Sequence, residues 1–214
     1  MVTTEEIVKA VGEVKKAPKR KFRQTVDLVV NLKNLDMNRP ENRIDQEVVL
    51  PEGRGKDVRI ALFAEGELAH QSKKIVDTVL SKDEIEALAK DKKKAKAYAE
   101  RHSFFLAQTD LMALIGKSLG PVLGPRGKMP RPVPPNMDIK PLVERLKKTV
   151  RIRTKDKLTF HLPVGTEDMD DAAIARNVEA VLNVLENRFG KGAHNIRSVY
   201  LKTTMGPSVR LEGV

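Results

Sequence analysis

The chain has no cysteine among its 214 residues, which removes disulfides, thiolate nucleophiles and zinc ribbons together. It has no tryptophan, two tyrosines and six phenylalanines, too few rings for a single-strand binder built on rows of stacking aromatics. The four histidines, at 70, 102, 161 and 194, include no pair at ligand spacing, so no metal site is expected. No apolar run approaches the roughly 20 residues that span a bilayer. The N-terminus lacks the basic-then-apolar order of a secretory signal. The expected location is the cytoplasm, with no membrane partner. A phosphate loop needs a glycine five residues before its Gly-Lys pair. The pairs at 116–117, 127–128 and 190–191 find Leu111, Val122 and Leu185 there instead. Gly53-Arg54-Gly55 is not completed by a third glycine, because position 58 is Val58. No catalytic Ser, His and Asp signature is recognisable, so neither an enzyme nor a cofactor is expected.

Charge is what the chain has in excess. Charged residues make up 32% of it, which with the missing cysteine leans toward a heat-adapted source. Forty Lys and Arg against 29 Asp and Glu leave +11, a balance that attracts polyanions. Charge alone fits a solvated basic surface equally well. With so few rings, contacts to phosphate, ribose and RNA shape suit the composition better than base stacking.

Periodicity supplies the fold. Thr3 and Glu6 form a capping box ahead of an apolar stripe, Ile7, Val8, Val11 and Val14, and Pro18 ends that helix. Residues 22–32 alternate, with Phe22, Gln24, Val26, Leu28, Val30 and Leu32 on one face, as in a half-buried strand. A second alternating run, Ile44 to Leu50, ends in the glycine-rich basic loop 51–56. The style then changes. Residues 58–64 are almost continuously apolar, as in a strand covered on both faces. Helices are expected at 67–75, 82–101, 110–119 and 139–149, with strands at 76–80 and 103–108. Alternation returns with a strand around Leu158, Phe160 and Leu162, a helix at 170–188 and a strand from Ile196 to Thr203. The fold class is therefore α/β (α+β). A split βαβ antiparallel-sheet domain is built from both termini, 1–57 and 151–214. A parallel three-layer α/β domain, 58–150, is inserted into it.

Three segments carry candidate chemistry. Lys15, Lys16, Lys19, Arg20, Lys21 and Arg23 concentrate positive charge within nine residues. The segment 120–135 holds six prolines and three glycines, reads as a stiff irregular loop, and displays Arg126, Lys128 and Arg131. Rigid display lowers the entropic cost of holding phosphate; a connection that merely tolerates charge is the alternative. Thr203-Thr-Met-Gly-Pro-Ser208 closes a strand with hydroxyls, a thioether and a glycine that permits close backbone approach. The segment suits ribose and backbone of folded RNA, and ordinary strand termination fits equally. His161, beside Pro163 and Gly165, faces RNA or is a plain surface histidine.

Taken in order, KFRQTVDLVVNLKNLD (21–36), ENRIDQEVVLPEGRGK (41–56), LGPRGKMPRPVP (123–134), IKPLVERLKKTV (139–150) and RSVYLKTTMGPSVR (197–210) resemble the "L one" family of large-subunit ribosomal proteins in its archaeal form. The resemblance covers nearly the whole chain, and TTMGPSVR and LGPRGKMP are its most specific parts. It implies a split terminal domain and a Rossmann-like insertion. It implies a structural, monomeric constituent of the large subunit that binds large-subunit ribosomal RNA at the mobile lateral stalk. It further implies help in releasing deacylated tRNA from the exit site, and repression of translation by binding the protein's own mRNA. A free-standing mRNA-binding regulator is the alternative. The RNA surface implied is Lys21, Phe22, Thr25, Ser198, Thr204, Met205, Gly206 and Ser208, with Arg54, Lys56, His161 and Gly165 as further contacts. Arg126 and Lys128 are expected to add auxiliary electrostatic contact from the insertion.

Overall fold

A computed structural model of the chain describes residues 3–18, 20–154, 157–189 and 195–212; Lys19, the Gly-Lys pair at 190–191 and His194 lie outside the described residues. The chain divides into two compact units, Met1–Lys56 with Lys148–Val214, and Asp57–Lys147.

The first unit starts with helix α1 (Thr4–Lys15), whose capping box forms as the sequence indicates: Thr3 accepts from the Glu6 amide and Glu6 accepts from the Thr3 amide. Strand β1 (Thr25–Leu32) buries every second residue. It is central in an antiparallel sheet of order β10-β9-β1-β8, with β8 (Thr159–Thr166), β9 (Ile196–Thr203) and β10 (Ser208–Leu211). One face of the sheet is covered by α1 and α8 (Asp171–Phe189). Ile7, Val11 and Val14 meet Val26, Leu28, Val30, Ile174, Val178 and Val199 there in one buried cluster. Each such side chain contributes roughly 1.5–3 kcal/mol by leaving water.

Sequence and structure part company at several points. β1 begins at Thr25 rather than at residue 22, so Phe22 is not on the buried face but 48% exposed ahead of the strand. The second alternating run, β2 (Asp45–Val49), is not in the main sheet. It pairs with β7 (Thr149–Arg153), a strand not expected from the sequence, whose first residue the sequence reading places at the end of the helix 139–149. Five residues with two arginines alternate too briefly to override a preceding amphipathic helix, and only the ladder Val48↔Val150 and Val49↔Thr149 decides. Thr149 and Val150 therefore belong with the terminal unit, not with the insertion. β10 was also missed, so Thr203–Ser208 is a hairpin turn rather than a strand terminus.

The second unit is three-layered. Its parallel sheet has order β4-β3-β5-β6, from β3 (Ile60–Phe63), β4 (Thr78–Leu80), β5 (Phe104–Gln108) and β6 (Arg131–Val133). Ile60 and Leu62 point to a layer with Leu68 of α2 (Gly66–Ser72) and with Val143 and Leu146 of α7 (Lys140–Lys147). Ala61 and Phe63 point to the opposite layer, with Ile85, Ala95, Ala99, Ile115 and Leu123. Both faces being covered explains the unbroken apolar run. The expected helix 82–101 is two helices, α3 (Lys82–Lys90) and α4 (Lys92–Arg101); Asp91 leaves helical geometry and caps α4 by accepting from Lys93 and Lys94 amides. Gly116 to Ser118 lies within α5 (Met112–Ser118), where Ser118 donates to Leu114 O, so it forms no phosphate-binding loop. The segment 120–135 is not irregular throughout, since it contains α6 (Gly120–Leu123) and the edge strand β6. Among the described residues, no helix is long and apolar enough to cross a membrane.

Candidate nucleic-acid interface

The turn between β9 and β10 is held against the start of β1. Thr204 donates its amide to Thr25 O at 3.1 Å, and the Thr25 amide donates to Thr204 Oγ1 at 3.2 Å. The Met205 amide donates to Gln24 Oε1 at 3.2 Å. Gln24 is only 2% exposed, and a buried amide must be satisfied. Its backbone amide and Nε2 donate to the two carboxylate oxygens of Glu167, at 3.0 and 3.2 Å. Gly206 closes the turn by donating to Thr203 O. Backbone groups, the Thr204 hydroxyl (which also donates to Thr25 O at 3.4 Å) and the Gln24 amide thus fix the turn, while the side chains of Met205 and Ser208 are left exposed. Met205 is 62% exposed, and Phe22, two residues before Gln24, is 48% exposed. Large apolar side chains held in water on a fixed frame mark an interaction surface when polar groups rim them. Here the rim is the exposed Thr204, Ser208 and Lys21.

The basic run is partly committed to the fold. Lys15 donates to Met169 O and pairs with Asp171, while Arg23 pairs with Asp168 and donates to Thr166 Oγ1. Lys16, Arg20 and Lys21 stay exposed.

The loop Pro51–Lys56 is a second feature. Gly53 and Gly55 have φ of +73° and +65°, which only glycine adopts without strain. Asn177, fully buried in α8, pins the loop: its Oδ1 accepts from the Glu52 amide, and its Nδ2 donates to Gly53 O and Val164 O, both at 2.8 Å. A Cβ on Gly55 would lie 2.5 Å from Met169 Sδ, so the loop sits hard against the turn after β8. Between the glycines, Arg54 has a buried Nε with no hydrogen-bond partner, and burial pulls its pKa down. A half-buried guanidinium whose Nε finds no partner among the described residues is costly, and an external anion relieves that cost.

The remaining candidates are dispersed. Ser198 is buried on β9 and accepts from Asn31 Nδ2 at 3.0 Å. It is six residues from Thr204, roughly 20 Å along the strand. His161 is exposed in mid-β8. Gly165 is buried rather than presented to solvent; a Cβ there would meet Ile174 at 3.0 Å and Met169 at 3.2 Å. In the insertion, Lys128 is turned inward. Its Nζ donates to Ala99 O at 2.7 Å and His102 O at 2.8 Å, closing the end of α4, and burial, then Arg126, lower its pKa. Arg126 pairs with Glu100 and donates to Val122 O. Sequence reading missed Gln24 and Asn177 as positioning residues. Its available signal was an amide within each otherwise apolar stripe.

Residues 14–207 match the ribosomal protein L1p/L10e family. The chain is 54% identical to the large ribosomal subunit protein uL1 of Methanothermococcus thermolithotrophicus, over 97% of this chain and 98% of that protein. It is 50% identical to that of Methanothermobacter thermautotrophicus, over 97% and 99%. With that of Thermoplasma acidophilum it shares 49% identity, over 97% and 96%. Identity at this level over nearly full length, in a chain with this fold, means that it belongs to the ribosomal protein L1p/L10e family.

Proposed function

We propose that the chain is a structural protein of the large ribosomal subunit, working on cytoplasmic ribosomes as a single copy and catalysing no reaction, and that it grips ribosomal RNA of the lateral stalk through the β9–β10 turn. The observation that carries this reading is the turn with exposed Thr204 and Met205, held by buried Gln24 and its partner Glu167. A locked frame binds without ordering cost. Threonine and serine hydroxyls and backbone groups suit ribose hydroxyls, and Phe22 and Met205 exclude water from those bonds. Arg54 and Lys56 supply charge to a backbone phosphate. A surface that reads RNA shape in this way serves two related RNAs, so repression of the protein's own mRNA and contact with exit-site tRNA belong to the same proposal.

The test is binding of a transcribed large-subunit ribosomal RNA, with co-sedimentation on large subunits as the second readout. Thr204→Ala and Met205→Ala each weaken binding roughly tenfold, the loss of one or two well-made contacts, and leave the circular dichroism spectrum unchanged. Wild-type affinity in both variants refutes the reading. Binding of mRNA without sedimentation on subunits replaces it with a free-standing regulator.

A further inference from the structure

The uncovered face of the main sheet presents three cross-strand rows. Ser208, Lys202, Asp27 and Pro163 form one; Arg210, Tyr200, Val29 and His161 form the next; Ser198, Asn31 and Thr159 form the third. Around the third row and the strand ends beyond it, with Tyr200 of the second row and Leu32 also in its lining, lies a depression of about 340 Å³, at the small end of the roughly 300–1,000 Å³ of small-ligand sites. Tyr200, Leu158, Asn31, Thr159, Ser198 and Arg197 line it.

Its chemistry is selective. Tyr200 offers a partly exposed ring, and Leu158, 38% exposed, an apolar wall. The polar groups are already ordered: Thr159 Oγ1 donates to Asn31 Oδ1 at 2.7 Å, and Asn31 Nδ2 donates to Ser198 Oγ at 3.0 Å. That chain leaves the Ser198 hydroxyl proton and one Asn31 N–H to give, and Thr159 lone pairs to receive. A flat heterocycle with donors and acceptors on one edge uses all of these, whereas a bare anion uses neither ring nor apolar wall. Arg197 and Arg210 are exposed beside the depression and Lys202 is partly so, which suits the phosphates that flank a base.

We propose that this depression is a subsite for one unstacked nucleobase of the bound RNA, stacked on Tyr200 and hydrogen-bonded along its edge by Asn31, Ser198 and Thr159. The subsite rests on the RNA-binding reading above but uses a different contact, base stacking rather than ribose packing. It also gives Ser198 a role at its observed distance from Thr204. One ring suffices for one base, so scarcity of aromatics is no obstacle.

The chain carries no tryptophan and its only other tyrosine is Tyr98, so in a full-length Tyr98→Phe variant Tyr200 is the sole emitter. With the transcribed large-subunit ribosomal RNA as probe, saturation is expected to quench that emission strongly. Tyr200→Ala weakens binding roughly tenfold and Tyr200→Phe restores it, as base–aromatic stacking requires. Unchanged emission in a complex verified by filter binding overturns the subsite. So does a well-folded Tyr200→Ala chain that binds as wild type while Met205→Ala still loses affinity; the turn reading then survives alone. Failure of the unsubstituted chain to bind RNA overturns both.

Discussion

A Cβ on Gly206 would stand 2.2 Å from Thr203 Oγ1, closer than real contacts allow, and a tight 3.1 Å from Ala17 Cβ. Gly206→Ala must therefore push the β9–β10 turn away from α1. The expected cost is about 1–3 kcal/mol, as for other overpacked sites, seen as a lower urea midpoint together with weaker RNA binding. Thr203 gives the opposite expectation. Its Oγ1 is buried without a partner among the described residues, so Thr203→Val deletes that hydroxyl while keeping the side-chain shape. Stability is predicted to hold or rise, and a drop of more than about 1 kcal/mol in chemical denaturation would show that the hydroxyl is in fact bonded. At this scale the sequence was informative about the β9–β10 turn and uninformative about what holds it, and it misplaced Phe22, Ser198 and Gly165. Thr204, Met205 and Gly206 stand out because hydroxyl, thioether and glycine are poor core material. Gln24 reads as one more residue on an alternating face, because its partners Glu167 and Met205 are 143 and 181 positions away. Long-range bonds of this kind leave no local trace beyond an amide where an aliphatic residue belongs.

Elements were legible where they are long and strongly periodic, as in α1, β1 and α8, and where a short apolar run marks a buried strand, as in β3 and β5; two short strands at the edges of that pattern were not. β7 and β10 have five and four residues, too few to establish a period, and both are specified by the strand beside them. The loop between β2 and the insertion is specified in the same way, from α8. Asn177→Ala removes all three of its tethers and leaves Glu52 N–H, Gly53 O and Val164 O to find water. A loss of about 2–4 kcal/mol is expected, with faster amide exchange confined to residues 51–56 if the loop is released locally. The β2–β7 ribbon supplies a pH-dependent counterpart. Arg151 grips Asp45 with two hydrogen bonds, at 2.5 and 2.6 Å. Those bonds, and then the charges of Arg151 and Arg153 working against partial burial, hold the Asp45 carboxyl below its ordinary value. A carboxyl depressed in the folded state stabilises above its unfolded pKa and loses that contribution as pH falls through the folded one. Asp45→Asn is expected to cost about 0.5 kcal/mol at neutral pH, because the pair is largely in solvent. Its urea midpoint should converge on wild type as the carboxylate range is crossed downward. Parallel curves at all pH values would mean that the charge of Asp45 contributes nothing.

For the molecule as a whole, the proposed reading expects the net charge of +11 to overstate what reaches RNA. Lys128 and Arg126 are spent on the end of α4 and on Glu100, and Lys15 and Arg23 on Asp171 and Asp168. On the proposed reading Lys21, Arg54 and Lys56, together with the exposed Lys16, Arg20, Arg197 and Arg210, are the cations available to phosphate, beside a turn whose contacts are uncharged. Each phosphate neutralised lowers the slope of log affinity against log salt by about 0.7–0.9. A slope set by a handful of cations is thus expected, well short of one set by the full surplus. The substitutions separate the two kinds of contact. Arg54→Ala should weaken binding and reduce the slope by about 1. Thr204→Ala should weaken binding with the slope unchanged, since no counter-ion is released at a hydroxyl. Lys128→Met should leave both affinity and slope in place while lowering the thermal midpoint, because its ammonium serves two backbone carbonyls. A steep slope that Lys128→Met reduces and Arg54→Ala does not would reverse the assignment, moving the phosphate contact from the split unit to the inserted one.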